Sequence, residues 1–138
     1  MVQAFRRLDH HLIVLDTSPY PTRADADRQQ VVLRHRDANA AFNEGLTRKL
    51  EDLCRARHIA FSYKDRYIAE QNQSLVAASG APKSLGSTEM GRMIAASGDL
   101  VDGTTLQIPT TGYHTMQETA AIASCEAFIR LLRDVARI

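Results

Sequence analysis

The sequence HHLIVLD occupies positions 10–16 and is followed by TSPYP at positions 17–21. The apolar and β-branched residues of the first segment predict a short buried strand, and the two prolines of the second predict a loop that ends it. Such a strand would present Asp16 at its carboxyl end. Ligands gather at this end of the strands in α/β sheets, so Asp16 is a candidate functional residue.

Segments with strand and helix patterns alternate along the rest of the chain. We predict strands at residues 30–34, 59–63 and 104–108, and a polar loop at residues 22–29. The spacing of apolar residues predicts helices at 38–54 after an N-cap at Asp37, at 65–78, from Thr88 to Gly98, and at 121–135. This alternation predicts an α/β fold, a parallel or mixed layered sheet with flanking helices, in a single domain of residues 1–138.

The chain has 17 Lys+Arg against 16 Asp+Glu, a formal charge of +1 over 138 residues. Because it has no dense basic run, this balance argues against nucleic acid or an anionic membrane surface as a partner. No apolar run approaches the roughly 20 residues that cross a bilayer, and the N-terminal residues do not follow a signal-peptide pattern. We therefore expect a cytoplasmic protein with no membrane or nucleic-acid partner.

The two cysteines, Cys54 and Cys125, lie far apart, and each falls on the apolar side of a predicted helix. This pattern is typical of reduced thiols in a protein core rather than of a disulfide or a metal site. Two histidines, His35 and His58, stand in polar surroundings and are predicted to lie on the surface.

Asp16 allows two interpretations. A carboxylate at a strand end can bind a cation or orient a neighbouring group. It can equally accept hydrogen bonds from backbone amides in a turn, without any functional role. The residues around Asp16 leave both interpretations open.

A second candidate lies in the segment IPTTGYHTMQET at positions 108–119. Here a predicted strand ends, and His114 stands just ahead of a predicted helix. Imidazole is the commonest protein ligand for zinc-like metals, and Glu118 could orient it. Alternatively, Thr115 and Glu118 form a capping box at the start of the helix, which needs no metal. Both interpretations stay open.

The loop KSLGSTEMG at positions 83–91 is rich in small residues. It lacks the full G-x-x-x-x-G-K-[ST] pattern of a phosphate-binding loop and the G-x-S-x-G pattern of a nucleophile elbow. We therefore predict a helix-capping turn that packs near a site.

Several segments together resemble the C-terminal half of the catalytic domain of the glutamyl aminopeptidase and tetrahedral aminopeptidase family of co-catalytic metallopeptidases. They are LDT at 15–17, GSTE at 86–89, LQIP at 106–109 with YHT at 113–115 and Glu118, and the closing helix. The pattern P-x-x-x-Y-H-[ST]-x-x-E is the most specific of them, and the resemblance covers nearly the whole chain in order. The residues of these segments also resemble those of a subgroup associated with bacterial osmoprotectant peptide-amide synthesis operons. Two residues depart from the family: Gly112 replaces a usual arginine, and Glu89 a usual aspartate.

The resemblance implies part of a zinc-exopeptidase-like domain, in which two divalent ions, zinc or cobalt, activate a water that attacks a peptide or peptide-amide bond. Asp16 would be a terminal ligand of one ion and His114 a terminal ligand of the other. The family's remaining ligands and its glutamate base precede the position of Asp16, where this sequence has only fifteen residues. The chain would thus be the C-terminal portion of a larger catalytic domain, binding neither ion tightly and inactive alone.

Two function classes follow from this resemblance. In the first, the chain belongs to a metal-dependent aminopeptidase-like hydrolase that takes short peptides or peptide amides once an N-terminal segment completes it. In the second, it is a non-catalytic α/β remnant or interaction module. Either class leaves formation of a homo-oligomer open.

Overall fold

The computed structural model describes residues 11–137, and within them five strands form one mixed sheet. The strands are β1 (Leu12–Pro19), β2 (Val31–Leu33), β3 (Phe61–Tyr63), β4 (Gly103–Thr111) and β5 (Thr119–Ala120). Their order is β1-β4-β2-β3, and β5 also pairs with β4. β1 runs parallel to β4 and β2 parallel to β3, whereas β2 and β5 are both antiparallel to β4.

Five helices lie in the same part of the chain and flank the sheet. They are α1 (Arg23–Ala26), α2 (Glu44–Ala56), α3 (Lys64–Ala77), α4 (Glu89–Ser97) and α5 (Ile122–Val135). The predicted α/β fold, a layered sheet with flanking helices, is therefore confirmed. Of the two sheet types that the sequence left open, the structure has the mixed one.

The larger core lies between one face of the sheet and helices α2 and α5. Side chains alternate between the two faces of a strand, and this face receives Leu106 from the middle of β4. Burial of one such leucine stabilises the fold by about 1.5–3 kcal/mol. The buried residues of this core are Val31, Leu33, Leu50, Cys54, Ile59, Tyr63, Leu106, Ala127 and Leu131.

The opposite face carries two smaller apolar clusters with polar side chains. Tyr20, Ala26 and Val32 form one of them, with Tyr67 of α3 packed against it. Met90 and Ile94 of α4 form the other, together with Phe42, and Leu12 and Val14 of β1 pack against it. This face also carries Asp16, because Asp16 is in register with Gln107, which is in register with Val32.

The first strand is longer than predicted and is not fully buried. It continues three residues past Asp16 to Pro19, because Thr17, Ser18 and Pro19 all pair with β4. Leu15 is 50% exposed. The prediction that Asp16 ends the strand is therefore wrong, and the part of that prediction that involves His10 lies outside the described residues.

The polar segment predicted as a loop at residues 22–29 contains the one-turn helix α1. The hydroxyl of Thr22 accepts a hydrogen bond from the backbone N–H of Asp25 at 3.1 Å, and so caps this helix. The sequence did not predict this helix, because the aspartates and arginines of the segment give it no apolar periodicity.

Helix α2 begins later than predicted. Asn43 is its N-cap and accepts a hydrogen bond from the backbone N–H of Leu46 at 2.8 Å. Residues 38–42 are not helical, and Arg36 forms an isolated antiparallel bridge with Ala41. The predicted N-cap at Asp37 is therefore wrong, and its carboxylate caps a different helix, as described below.

Strand β4 runs through Pro109, where the sequence predicted its end. Proline lacks a backbone N–H and is tolerated where no neighbouring strand needs that donor. β2 pairs with β4 at Gln107 and β5 begins to pair at Thr110, so Pro109 lies between the two partners on that side. A hairpin loop at residues 112–118 then joins β4 to β5.

The buried face of α5 differs from the predicted apolar stripe. Ser124, Ala127 and Leu131 are buried, whereas Cys125 is exposed and Ile129 is 58% exposed. The prediction of a core thiol is confirmed for Cys54 and wrong for Cys125. The helix carries apolar residues on more than one side, so their spacing alone did not identify the side that packs.

Candidate functional site

Asp16 lies within β1, opposite Gln107 of β4. Its carboxylate accepts a hydrogen bond from the backbone N–H of Thr17 at 2.8 Å and is partly exposed. The structural interpretation placed this carboxylate in a turn, whereas Asp16 lies within a strand and satisfies one backbone amide. The remaining lone pairs of the carboxylate leave room for another partner.

Gln107 connects β1 to a buried arginine. Its amide oxygen accepts a hydrogen bond from Nε of Arg34 at 2.8 Å, and its amide nitrogen donates to the carbonyl of Thr17 at 3.0 Å. Arg34 also donates through Nη1 to the carbonyl of Leu85 at 2.7 Å. The side chains of Arg34 and Gln107 thereby link strands β1, β4 and β2 to the loop before α4.

Burial lowers the pKa of Arg34, and the carboxylates of Asp37, Asp65 and Asp16 oppose that effect. Arg34 nevertheless remains a cation at any ordinary pH, because a guanidinium group does not lose its proton in proteins. Asp16 is thus close enough to a buried positive charge to interact with it.

His114 lies in the hairpin loop between β4 and β5. Its backbone adopts a left-handed conformation with φ 60°, and its ring packs against Tyr113 with the ring centroids 3.9 Å apart. The side chain is exposed. An exposed imidazole on a hairpin loop can reach a ligand or a partner.

The capping-box interpretation of Thr115 and Glu118 is wrong, because no helix starts there. The hydroxyl of Thr115 donates to the carbonyl of Gly112 at 2.6 Å and accepts from the backbone N–H of Gln117 at 3.1 Å, so it stabilises the hairpin loop. Glu118 accepts a hydrogen bond from the hydroxyl of Thr110 at 2.9 Å. This bond directs the carboxylate to β4 rather than to the imidazole of His114.

Asp16 and His114 lie towards the same end of the sheet. β1 and β4 are parallel, so their carboxyl ends coincide, with Pro19 opposite Thr110. Asp16 precedes this end by three residues, and His114 follows it in the hairpin loop. Within residues 11–137, however, no group of three or more His, Cys, Asp or Glu side chains is arranged to hold a metal ion. The described residues therefore do not make up a complete metal site.

The loop at residues 83–91 is a helix-capping turn, as predicted. The hydroxyl of Thr88 accepts a hydrogen bond from the backbone N–H of Gly91 at 3.1 Å and caps α4. The carboxylate of Asp37 also lies at this helix end, where it accepts hydrogen bonds from Thr88. A phosphate would meet this negative charge, so the turn does not serve as a phosphate site.

The two histidines predicted on the surface differ from each other. His58 is exposed. His35 is only partly exposed: its Nδ1 lies 3.0 Å from a carboxylate oxygen of Asp65, and its ring stacks on Tyr63 with 3.8 Å between centroids. The surface prediction is confirmed for His58 and in part for His35, whose side chain is 37% exposed but also stacks on Tyr63.

Sequence reasoning missed three functional candidates, Arg34, Gln107 and Lys64, all of which are buried. Gln107 had a signal: it is a polar residue at the centre of a predicted strand, where it needs a hydrogen-bond partner. Arg34 had a weaker signal at the end of a predicted strand. Lys64 had none.

No protein-family model matches this chain, and no curated protein matches it. Among solved structures, the fold is similar to that of PhTET1-12s, a tetrahedral aminopeptidase determined with a dodecamer in the asymmetric unit. The TM-score is 0.60 and the sequence identity 18%, over 90% of this chain and 32% of that chain. The chain therefore spans about a third of the length of this neighbour, with which it shares an α/β fold.

Proposed function

We propose that this chain is the C-terminal portion of a metal-dependent, aminopeptidase-like hydrolase domain that cleaves peptide or peptide-amide bonds. The fold similarity to PhTET1-12s over 90% of the chain carries the proposal. In the complete domain, two zinc or cobalt ions would supply an activated water. The substrate would be a short peptide or peptide amide.

Asp16 and His114 are the residues that we propose as metal ligands, one for each ion. The parallel pairing of β1 with β4 supports this assignment, because both residues then lie towards one end of the sheet. A zinc ion takes about four ligands, so the other ligands and the general base would have to come from another polypeptide segment.

The first experiment measures metal content and activity of the chain alone. We expect less than one equivalent of zinc or cobalt per chain by elemental analysis and no hydrolysis of leucine p-nitroanilide. Robust turnover by the chain alone would overturn the argument that ligands are missing.

The second experiment supplies the missing groups by fusing or mixing the chain with a segment that carries H-x-D and consecutive glutamates. We expect metal binding and turnover to return, and His114→Ala to abolish both. His58→Ala is a matched control, because His58 is also exposed and also has a left-handed backbone, with φ 54°. If His114→Ala keeps full activity in the restored enzyme, the ligand assignment is rejected.

The alternative, a non-catalytic α/β remnant or interaction module, has one observation in its favour. Glu118, which the sequence offered as a group to orient His114, is bonded to Thr110 instead. The fusion experiment separates the two functions, because a remnant would fail to recover metal binding with any added segment.

Self-association is also part of the proposal. The neighbour PhTET1-12s was determined as a dodecamer. This chain exposes large apolar side chains, among them Leu15, Ile122 and Ile129, and exposed apolar surface favours association. Light scattering coupled to size-exclusion chromatography should give a mass above 15.3 kDa. A monomer at micromolar concentration would contradict this part of the proposal.

A further inference from the structure

A cavity of about 320 Å³ lies between the end of β1 and helix α3, on the face of the sheet that carries Val32. Most of its wall is apolar or aromatic. Two lysines, Lys64 and Lys83, also line it, and they are two of only three lysines in the sequence. The remaining lining residues are Pro19, Tyr20, Pro21, Tyr67, Ile68 and Ser84.

Lys64 is buried in the wall of this cavity, with only 5% of its surface exposed. Its Nζ donates a hydrogen bond to the carbonyl of Pro19 and lies 3.5 Å from the ring centroid of Tyr20 and 4.9 Å from that of Tyr67. An ammonium group has three N–H donors, and the carbonyl accepts only one of them. In the part of the chain that the structure describes, no carboxylate forms an ion pair with Lys64.

Lys83 is exposed at the edge of the same cavity. The side chain of Asn72 bonds to both polar groups of the Lys83 backbone. It accepts from the Lys83 N–H at 2.7 Å and donates to the Lys83 carbonyl at 2.9 Å. These two bonds fix the position of Lys83 relative to α3. The cavity therefore has one cation in its wall and a second at its edge.

The positive charge around this cavity is poorly compensated. Burial, together with the charges of Arg34 and Lys83, lowers the pKa of Lys64 to about 7, and Asp25 opposes this shift. Burial also raises the pKa of the two phenols that face Lys64, those of Tyr20 and Tyr67, so both stay neutral at pH 7. An anion placed in the cavity would relieve the repulsion between the cations.

We propose that this cavity binds a small organic carboxylate with an apolar body, whose carboxylate pairs with Lys64 and Lys83. The aromatic and proline side chains would cover the apolar body, while the two ammonium groups would neutralise the charge. Inorganic anions could use the cations but not the apolar wall, so they should bind more weakly. The site does not depend on the proposed hydrolase function.

Binding should weaken as the pH rises. A bound carboxylate favours the protonated form of Lys64, which prevails below pH 7 and is lost above it. If binding requires the ammonium form, the affinity falls by about tenfold between pH 6 and pH 8.

The test measures binding of hexanoate by isothermal titration calorimetry at pH 6, 7 and 8, with the neutral hexanamide and with inorganic phosphate as comparison probes. We expect hexanoate to bind at least about tenfold more tightly than either probe and to weaken with rising pH. Equal binding of hexanoate and hexanamide would overturn the proposal, because the lysines would then contribute nothing.

Variants assign the binding to the two lysines. We expect Lys64→Met to abolish hexanoate binding and its pH dependence, and Lys83→Gln to weaken binding several-fold. Lys49→Gln, at the remaining lysine, is exposed on α2 and should leave binding unchanged. If the two single variants, Lys64→Met and Lys83→Gln, both bind hexanoate with unchanged affinity, the site is rejected.

Lysine labelling tests the same site without relying on the folding of Lys64→Met. Reductive methylation at pH 7, followed by mass spectrometry, gives a separate modification rate for each of the three lysines. Saturating hexanoate should slow modification of Lys64 and Lys83 and leave Lys49 unaffected. Equal rates for Lys64 with and without hexanoate would contradict the proposal.

Discussion

The carboxylate of Asp37 accepts hydrogen bonds from both the backbone N–H and the hydroxyl of Thr88, at 2.7 and 2.8 Å. The same carboxylate accepts from the backbone N–H groups of Asn39 and Ala40. It therefore holds the loop after β2 against the N-terminus of α4, where a negative charge also interacts favourably with the helix dipole. Asp37 is only 1% exposed, so these bonds are shielded from water.

Gly91 is required because it faces this carboxylate. A Cβ atom at Gly91 would lie 2.1 and 2.2 Å from the two carboxylate oxygens of Asp37. We expect Gly91→Ala to lower the free energy of unfolding by about 2–4 kcal/mol, measured by urea denaturation. Gly45→Ala is the matched control in the first turn of α2, where the nearest atom would be 3.5 Å away. It should raise stability by about 0.5–1 kcal/mol, and equal losses in both variants would contradict this explanation.

The same carboxylate should make stability depend on pH. Burial raises the pKa of Asp37, but hydrogen bonds from Thr88, Asn39 and Ala40 outweigh it and hold the pKa below its ordinary value. A lowered folded-state pKa contributes stability above the unfolded-state pKa of about 3.9, and that contribution is lost as the pH falls through the folded-state value.

We therefore expect Asp37→Asn to cost about 2 kcal/mol or more at pH 7, and the difference from the unmodified chain to shrink towards pH 3. Asp52→Asn, at an exposed position on α2, should have little effect at either pH. Urea denaturation at pH 3, 5 and 7 measures both variants. A difference for Asp37→Asn that stays constant across this range would count against the charge as its origin.

The two thiols should react very differently in the folded protein. Burial, with a smaller contribution from the charge of Glu51, raises the pKa of Cys54 to about 12, and the side chain has no exposed surface. Cys125 is exposed. A disulfide reagent at pH 8 should modify one thiol rapidly, and Cys125→Ser should remove that rapid phase. Cys54 should react only after denaturant unfolds the chain, and rapid reaction of Cys54 in the native protein would show that this part of the core is misassigned.

The hairpin loop offers a test at two neighbouring positions. His114 and Gly112 both have positive φ, at 60° and 74°, and a Cβ at Gly112 would lie 2.6 Å from the carbonyl oxygen of Gln117. His114→Gly removes the conformational cost of the imidazole residue and should raise stability by up to about 1 kcal/mol. Gly112→Ala should lower it by about 1–3 kcal/mol. Thermal unfolding measures both, and a loss of stability in His114→Gly would indicate a contact of its ring that outweighs the backbone cost.

Elements with strong local signals were predictable from the sequence. Helix α4 is the clearest example, because Thr88 caps its start and Gly98, at φ 62°, ends it, as predicted. Elements whose limits depend on distant partners were not. Strand β1 extends to Pro19 only because β4 pairs with it, and β4 lies at the other end of the chain.

Local sequence patterns gave wrong predictions where a polar side chain bonds to an element other than the one that its neighbours in sequence suggest. Asp37 precedes an apolar series and so matched an N-cap, but its carboxylate caps α4, which begins at Glu89. Thr115 and Glu118 have the spacing of a capping box, but a hairpin uses them. The candidate site was therefore predictable only as two residues at one end of a sheet, and the buried cations Arg34 and Lys64 required the structure.

The parallel pairing of β1 with β4 has a consequence for synthesis of the protein. Leu12 pairs with Gly103, so β1 leaves the ribosome well before β4, its partner in the described sheet, has been translated. Contacts so distant in sequence require closure of a long loop and slow the folding reaction. During that interval β1 lacks its partner β4, and its apolar segment LIVL is available to a chaperone that binds the growing chain.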